Sequence, residues 1–247
     1  MMKHVFTFLL TAGVLCCSFL AAQGVQHRRY DFRDHVKLKK IWTRKGKQFG
    51  VPMTRFFIVS SAGAQDKKAL AVEANNSSGI LVTRIPEEVW RKYPVMRWRW
   101  RVIRKVSFSG KEPDDQAAVI YFGDGTPLKQ HLMAYRWEHD ADLGSASKLS
   151  YGMGATTVAR ICVRNGKAEY SRWYEEERNV VEDFRKAFGR APKGRCGLTI
   201  GANSQHSKSN TLVEIDFIEF RKTPKSPATD LDGKINIAER KTANEIF

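Results

Sequence analysis

From residue 54 onward, apolar and polar positions alternate in short runs separated by Gly, Asn, Asp and Ser. Alternation with period two marks a strand with one buried face. It predicts strands over residues 55–60, 69–74, 80–85, 95–103, 117–122, 132–137, 156–163, 169–173, 197–200 and 212–220. The strongest run is 94–103, Pro-Val-Met-Arg-Trp-Arg-Trp-Arg-Val-Ile. Met96, Trp98, Trp100 and Val102 fall on one face, and Arg97, Arg99 and Arg101 on the other. Two tryptophans and two aliphatics on one side need a second layer to cover them. Three arginines two residues apart repel one another unless they are solvated, paired with carboxylates or turned toward an anionic ligand. Asn165-Gly166, between two of the runs, is a hairpin signal.

One stretch changes period. Asn179 is placed to cap a helix, with Glu182 three residues on. Val180, Val181, Phe184, Ala187 and Phe188 then share a face at helical spacing, and Gly189 ends the run. Glu175, Glu176 and Glu177 precede the positive end of this helix and read as helix electrostatics. Strands do not alternate with helices in a βαβ order. The expected fold is therefore mainly β: an antiparallel, jelly-roll-like β-sandwich with one packed amphipathic helix.

The N-terminus adds a compartment. Met1-Met2-Lys3-His4 is followed by an apolar run from Val5 to Leu20 and by Ala21-Ala22-Gln23-Gly24, the pattern of a secretory signal peptide. The run is shorter than the roughly 20 residues of a bilayer span, and no second candidate follows. The expected organisation is a signal peptide over 1–22, a β-sandwich domain over 23–221, and a Pro/Lys linker with a tail over 222–247. Lysine and arginine number 42 against 26 acids in 247 residues, a formal charge of +16. Such an excess favours anionic partners, an acidic glycan or cell-envelope polymer before nucleic acid, which an exported protein meets least. After signal removal only Cys162 and Cys196 remain, and an oxidising compartment favours one disulfide between them. The alternative is two buried free thiols.

Candidate chemistry is sparse. Asp114 and Asp115 open the run at 117–122 but point to opposite faces, and Asp115 would pair with an arginine of the 97–101 series if it turned inward. Trp137 leads into Glu138-His139-Asp140 and Asp142, a polar loop with no recognised metal spacing. Asp115 and His139 are thus the weak catalytic candidates, and Arg97, Arg99, Arg101 and Trp137 the ligand-binding ones. No nucleophile elbow, phosphate loop or zinc-protease helix occurs, which counts against the common hydrolases.

Three blocks carry a resemblance. Met96-Arg97-Trp98-Arg99-Trp100-Arg101-Val102, then 114–122, then 173–189 resemble, in this order, the bacterial domain-of-unknown-function family 3047. The resemblance implies an exported β-rich domain without an established activity. Where that family tends to carry Asp-x-Asp-Asn, this chain reads Gly201-Ala202-Asn203-Ser204-Gln205-His206-Ser207. The tail at 228–239 resembles an EF-hand calcium loop: Asp230 and Asp232 at its third and fifth positions, Gly233 at the turn, Lys234 offering a carbonyl, Asn236 ninth and Glu239 twelfth. Ala228 replaces the usual first aspartate, and Pro224 and Pro227 preclude a normal incoming helix. The resulting expectation is a non-catalytic glycan or envelope-binding module with weak calcium binding. A glycan-acting hydrolase or lyase and a structural envelope protein stand as alternatives.

Overall fold

The computed structural model describes residues 27–104, 115–126 and 128–222. The signal segment, Asp114 and the tail ligands Asp230, Asp232, Lys234, Asn236 and Glu239 lie outside the described residues. The chain begins with β1 (His27–Asp31), a short helix α1 (His35–Ile41) capped by the Asp34 carboxylate, and β2 (Thr43–Lys45). Then follow β3 (Arg55–Ser60), β4 (Lys68–Asn75), β5 (Ser78–Ile85), α2 (Glu87–Lys92) and β6 (Val95–Arg104). After them come β7 (Gln116–Thr126), β8 (Lys129–Trp137), β9 (Ala146–Tyr151), β10 (Thr156–Arg164) and β11 (Tyr174–Asn179). The described chain closes with α3 (Val180–Phe188), β12 (Cys196–Asn203) and β13 (Asn210–Arg221).

Among the described residues, thirteen strands make two sheets. Sheet A runs β11-β6-β13-β4-β3, with β1 also on β13; sheet B runs β2-β5-β12-β7-β8-β10-β9. All pairs are antiparallel except β8 with β10, which run parallel because β9 lies between them in the chain and pairs on the far side of β10. The result is the expected sandwich. Along β13 the neighbour on one side changes: β4 takes Asn210 to Ile215 and β1 takes Phe217 to Arg221, while β6 flanks the other side throughout.

The layers meet over an aromatic seam. Met96, Trp98, Trp100 and Val102 are all buried, as their alternation predicts. Trp98 lies 5.3 Å from Tyr135, Trp100 lies 5.5 Å from Trp137, and Trp137 lies 5.6 Å from Tyr174, so β6, β8 and β11 interlock through ring contacts. Burying one such side chain removes about 150–250 Å² from water, roughly 4–6 kcal/mol before ordering costs. Helix α3 closes one end. Asn179 accepts the Glu182 amide at 3.1 Å, Gly189 takes the left-handed conformation at its C-terminus, and Val180, Phe184 and Ala187 are buried.

Two local expectations change. Residues 169–173 form a turn, with Ser171 at φ 58°, and the strand lies one step later in β11. Glu175 to Glu177 therefore belong to a strand paired with β6, and their partners are Arg97, Arg164 and Arg221 rather than the helix terminus. Asn165-Gly166 makes no hairpin, because the chain leaves sheet B there and crosses to sheet A. Gly166 serves close packing instead, since a Cβ there would stand 2.7 Å from the His139 carbonyl oxygen. Among the described residues no helix is long and apolar enough to cross a membrane.

Candidate functional site

The arginine face of β6 is the outer face of sheet A, and carboxylates of β13 answer it. Arg101 meets Glu214 at 2.8 Å, Arg99 meets Asp216 at 2.8 Å and Arg97 meets Glu219 at 2.9 Å. Glu214 and Asp216 share a parity that Glu219 does not. A register shift between Ile215 and Phe217 makes up the difference and lets all three face outward. Glu175 adds a second carboxylate for Arg97, while Trp173 stacks on Arg99 and Arg101 at 4.8 and 4.5 Å. Of the three possibilities for this stripe, the structure takes the paired one. The three arginines are committed to the fold.

The other sequence candidates are also placed. Trp137 is 3 % exposed inside the seam, so it offers no stacking face. The space beside Trp137 and His139 is about 10 Å³, room for at most one water. Asp115 is buried, but its carboxylate accepts the backbone amides of Ser207 at 2.7 Å and His206 at 3.4 Å rather than meeting an arginine of β6. It pins the loop before β13. His139 sits 3.4 Å from Asp140. Among the described residues no group of three His, Cys, Asp or Glu side chains is arranged to hold a metal ion.

The expected disulfide is absent. Cys162 and Cys196 are both free and buried. They lie on β10 and β12, three strand spacings apart in sheet B, about 14 Å against the roughly 7 Å limit for a bridge. They also face opposite ways, Cys196 into the inter-sheet core and Cys162 outward. Burial pushes both thiols up to about 12.

The opening that the sequence did not reveal is a cleft of about 400 Å³ on the outer face of sheet B. Register explains it. Rows of outward side chains cross the sheet: Val82, Thr199, Tyr121 in one row, Arg84, Gly197, Gly123, Leu132, Val158 in the next, and Gly125, Gln130, Thr156, Tyr151 in a third. Glycine thus fills adjoining outward positions on β12 and β7, and the missing side chains are the cleft. The glycines differ in kind. A Cβ on Gly123 would lie 2.0 Å from the His131 carbonyl oxygen, so close passage of β8 demands glycine there. At Gly197 nothing stands nearer than 3.9 Å, so a side chain there would project into open cleft.

The cleft floor is aliphatic, from Ile80, Val82, Leu132 and Val158, with Tyr121 in it and Tyr151 at one edge, 38 % exposed. Polar groups are few: Thr199, Gln130 and Thr156, the cations Lys45 and Arg84, and one carboxylate, Asp124. Asp124 is already engaged. Arg190 grips both its oxygens at 2.6 and 2.9 Å, and the Lys193 amide donates at 2.7 Å. His131 touches the same arginine at 3.1 Å, and its pKa is lowered by burial and by Arg190. An apolar floor with an aromatic face and a small set of hydrogen-bonding groups suits a ligand that has both apolar and hydroxylated surfaces. No second carboxylate among the described residues faces Asp124 across the cleft to form an acid/base pair.

A model of the family described as "Protein of unknown function (DUF3047)" matches residues 41–219. No curated protein matches significantly. Among solved structures, the chain is similar to a family 11 carbohydrate-binding module from Clostridium thermocellum in complex with a β-1,3-1,4-mixed-linked tetrasaccharide. That match has 11% identity, 81% of this chain and 98% of that one covered, and a TM-score of 0.40. It is similar also to the CBM22-1 xylan-binding domain from Paenibacillus barcinonensis Xyn10C, at 12% identity over 80% and 95% of the chains and a TM-score of 0.33. A family 12 glycoside hydrolase matches at 10% identity over 73% and 100%, with a TM-score of 0.37.

Proposed function

The chain belongs to the DUF3047 family, and from that premise we propose that it is an exported, non-catalytic glycan-binding module that works through the cleft of sheet B. The observation that carries this reading is the preformed cleft itself, floored by aliphatics and Tyr121 and opened by Gly197 and its neighbours. A sugar ring has an apolar face that stacks on tyrosine and hydroxyls that take the side chains of Gln130, Thr156 and Thr199. The volume falls in the range of small-ligand sites, about 300–1,000 Å³. The engagement of Asp124 by Arg190 supports binding without bond cleavage.

Gly197→Val tests it. Valine suits a strand and meets no neighbour there, so it fills the cleft without disturbing the sheet. With an array of cell-wall and plant oligosaccharides, the wild type is expected to bind at least one, and the variant to lose it at least about tenfold at unchanged melting temperature. Equal binding by the variant removes the cleft from the reading, and release of sugar from the ligand makes the protein an enzyme. The tail carries a second, separate part of the proposal: weak calcium binding by Asp230, Asp232, Lys234, Asn236 and Glu239, at about 10⁻⁴–10⁻³ M. Calorimetric titration of the full chain against Glu239→Gln checks it. Equal heats from the two proteins, or none from either, discard the calcium site.

A further inference from the structure

Several arginines of the two sheets and the core are matched: Arg97, Arg99, Arg101, Arg164, Arg178 and Arg190 all sit on carboxylates. At the β2 side of the cleft they are not. Lys45 and Arg84 both line the cleft, and neither makes an ion pair with a described residue. Lys39, Lys40, Arg44 and Lys47, in the segment that leads into and out of β2, are exposed and equally without ion pairs among the described residues. Between Asp34 and Asp66 the sequence holds no acid at all.

We infer that the cleft takes an anionic polysaccharide, one with acidic groups on repeating sugars, and that the chain of sugars leaves the cleft over the β2 edge. This rests on the glycan reading above and narrows it. Spacing points to a polymer. Lys45 stands opposite Ile80, and Arg84 is four residues further along β5, about 13 Å in strand rise. Two positive points so far apart, on one cleft wall, match charges on different sugars better than a single small anion. The cleft's own carboxylate does not oppose this, because Arg190 neutralises Asp124 from beneath. Basic side chains on an edge strand also discourage strand pairing between molecules. That accounts for Arg44 and Lys45 on β2, but not for the placement of Arg84, which projects from β5 into the cleft two residues beyond the stretch that β2 covers.

The experiment uses the full chain with four probes: a polygalacturonate oligomer, chondroitin sulfate, a neutral cello-oligosaccharide of similar length, and a single-stranded oligonucleotide. Affinities are measured at low and moderate salt for the wild type, Lys45→Gln, Arg84→Gln, Gly197→Val, and Lys167→Gln, which removes an exposed charge elsewhere. The expected result is a preference for one of the two acidic glycans over the neutral one that weakens with salt. Arg84→Gln should lower that preference about tenfold, as loss of one charge-assisted hydrogen bond does. Lys45→Gln should lower it in the same direction, and Lys167→Gln should not. Carboxylated and sulfated probes separate the two sources of negative charge. Preferred binding of the neutral oligomer, abolished by Gly197→Val, overturns the anionic inference and leaves the glycan module intact. Binding of no glycan overturns both. Acidic-glycan or oligonucleotide binding that survives Gly197→Val marks a diffuse electrostatic surface and also overturns the inference.

Discussion

Cys162 and Cys196 read alike in the sequence, each inside a β run, yet the sheet sends them to opposite faces three strands apart. Linear spacing carries no information on that separation, and so the expected disulfide fails. Their thiols, raised to about 12 by burial, are almost wholly protonated at pH 8. Peptide mapping after iodoacetamide treatment of the native protein at that pH should find both unmodified, and both alkylated after denaturation. Modification of either in the native state contradicts the burial. His131 gives a pH dependence with a definite sign. Burial and Arg190, with Lys129 and Lys148 nearby, hold its pKa below the ordinary 6.5, while Asp124 opposes them. The unfolded chain then binds the proton more readily, so this residue's contribution is complete above pH 6.5 and is lost as pH falls toward the depressed value. Between pH 7.5 and 5.5, His131→Gln should lose less melting temperature than the wild type; an equal or larger loss would put the sensitivity elsewhere. At this scale the alternation located Trp98, Trp100 and Trp137 in strands, but only the facing sheet shows that all three are core.

At the scale of elements, α3 was legible because its signals are local: the Asn179 cap, the apolar face and Gly189 all lie within eleven residues. Strand β11 was not. Two of its three inward positions are Glu176 and Arg178, charged residues that a hydrophobicity pattern assigns to solvent. They are half-buried because partners on other elements meet them, Arg164 and Trp100 for Glu176, and Asp183 for Arg178. Asp183 also accepts the hydroxyl of fully buried Tyr135 at 2.8 Å, so one carboxylate ties α3 to both sheets. Asp183→Asn strands the Arg178 guanidinium in a low-dielectric site, and breaking a buried pair in this way costs roughly 3–5 kcal/mol. Urea unfolding should show that loss, and a loss below about 1 kcal/mol would reclassify the pair as a surface one. The edge strands β1, β2 and β9 escaped the pattern for a simpler reason: they are short and have few apolar positions.

For the whole molecule, the sandwich followed from the sequence and the cleft did not. Gly123, Gly125, Gly197 and Gly201 are visible as glycines within strands, a sign of close backbone approach. That Gly197 falls opposite Gly123, with Gly125 next on the same face, depends on the register of β7 against β12, a relation between segments that local pattern does not encode. The net charge was legible as a number, but the pairing of Arg97, Arg99 and Arg101 and the placement of Lys45 and Arg84 at the cleft were not. In the sequence the Arg97–Arg99–Arg101 stripe was open to solvent, carboxylates or an anionic ligand, and β13 supplies the carboxylates.

The place of β13 has a consequence for synthesis. It is the last described strand, yet it pairs with β1, β4 and β6, from the first half of the chain. A chain emerging from the ribosome with its N-terminus first carries Trp98 and Trp100, and the arginines beside them, for more than a hundred residues before their sheet can close. Through that interval the nascent polypeptide presents an unfinished apolar face to holdase chaperones, and β1, β4 and β6 each lack the strand that joins them into one sheet. A sheet joined only by its last strand keeps half of the sandwich open until late in synthesis, the interval in which a polypeptide is most easily held unfolded.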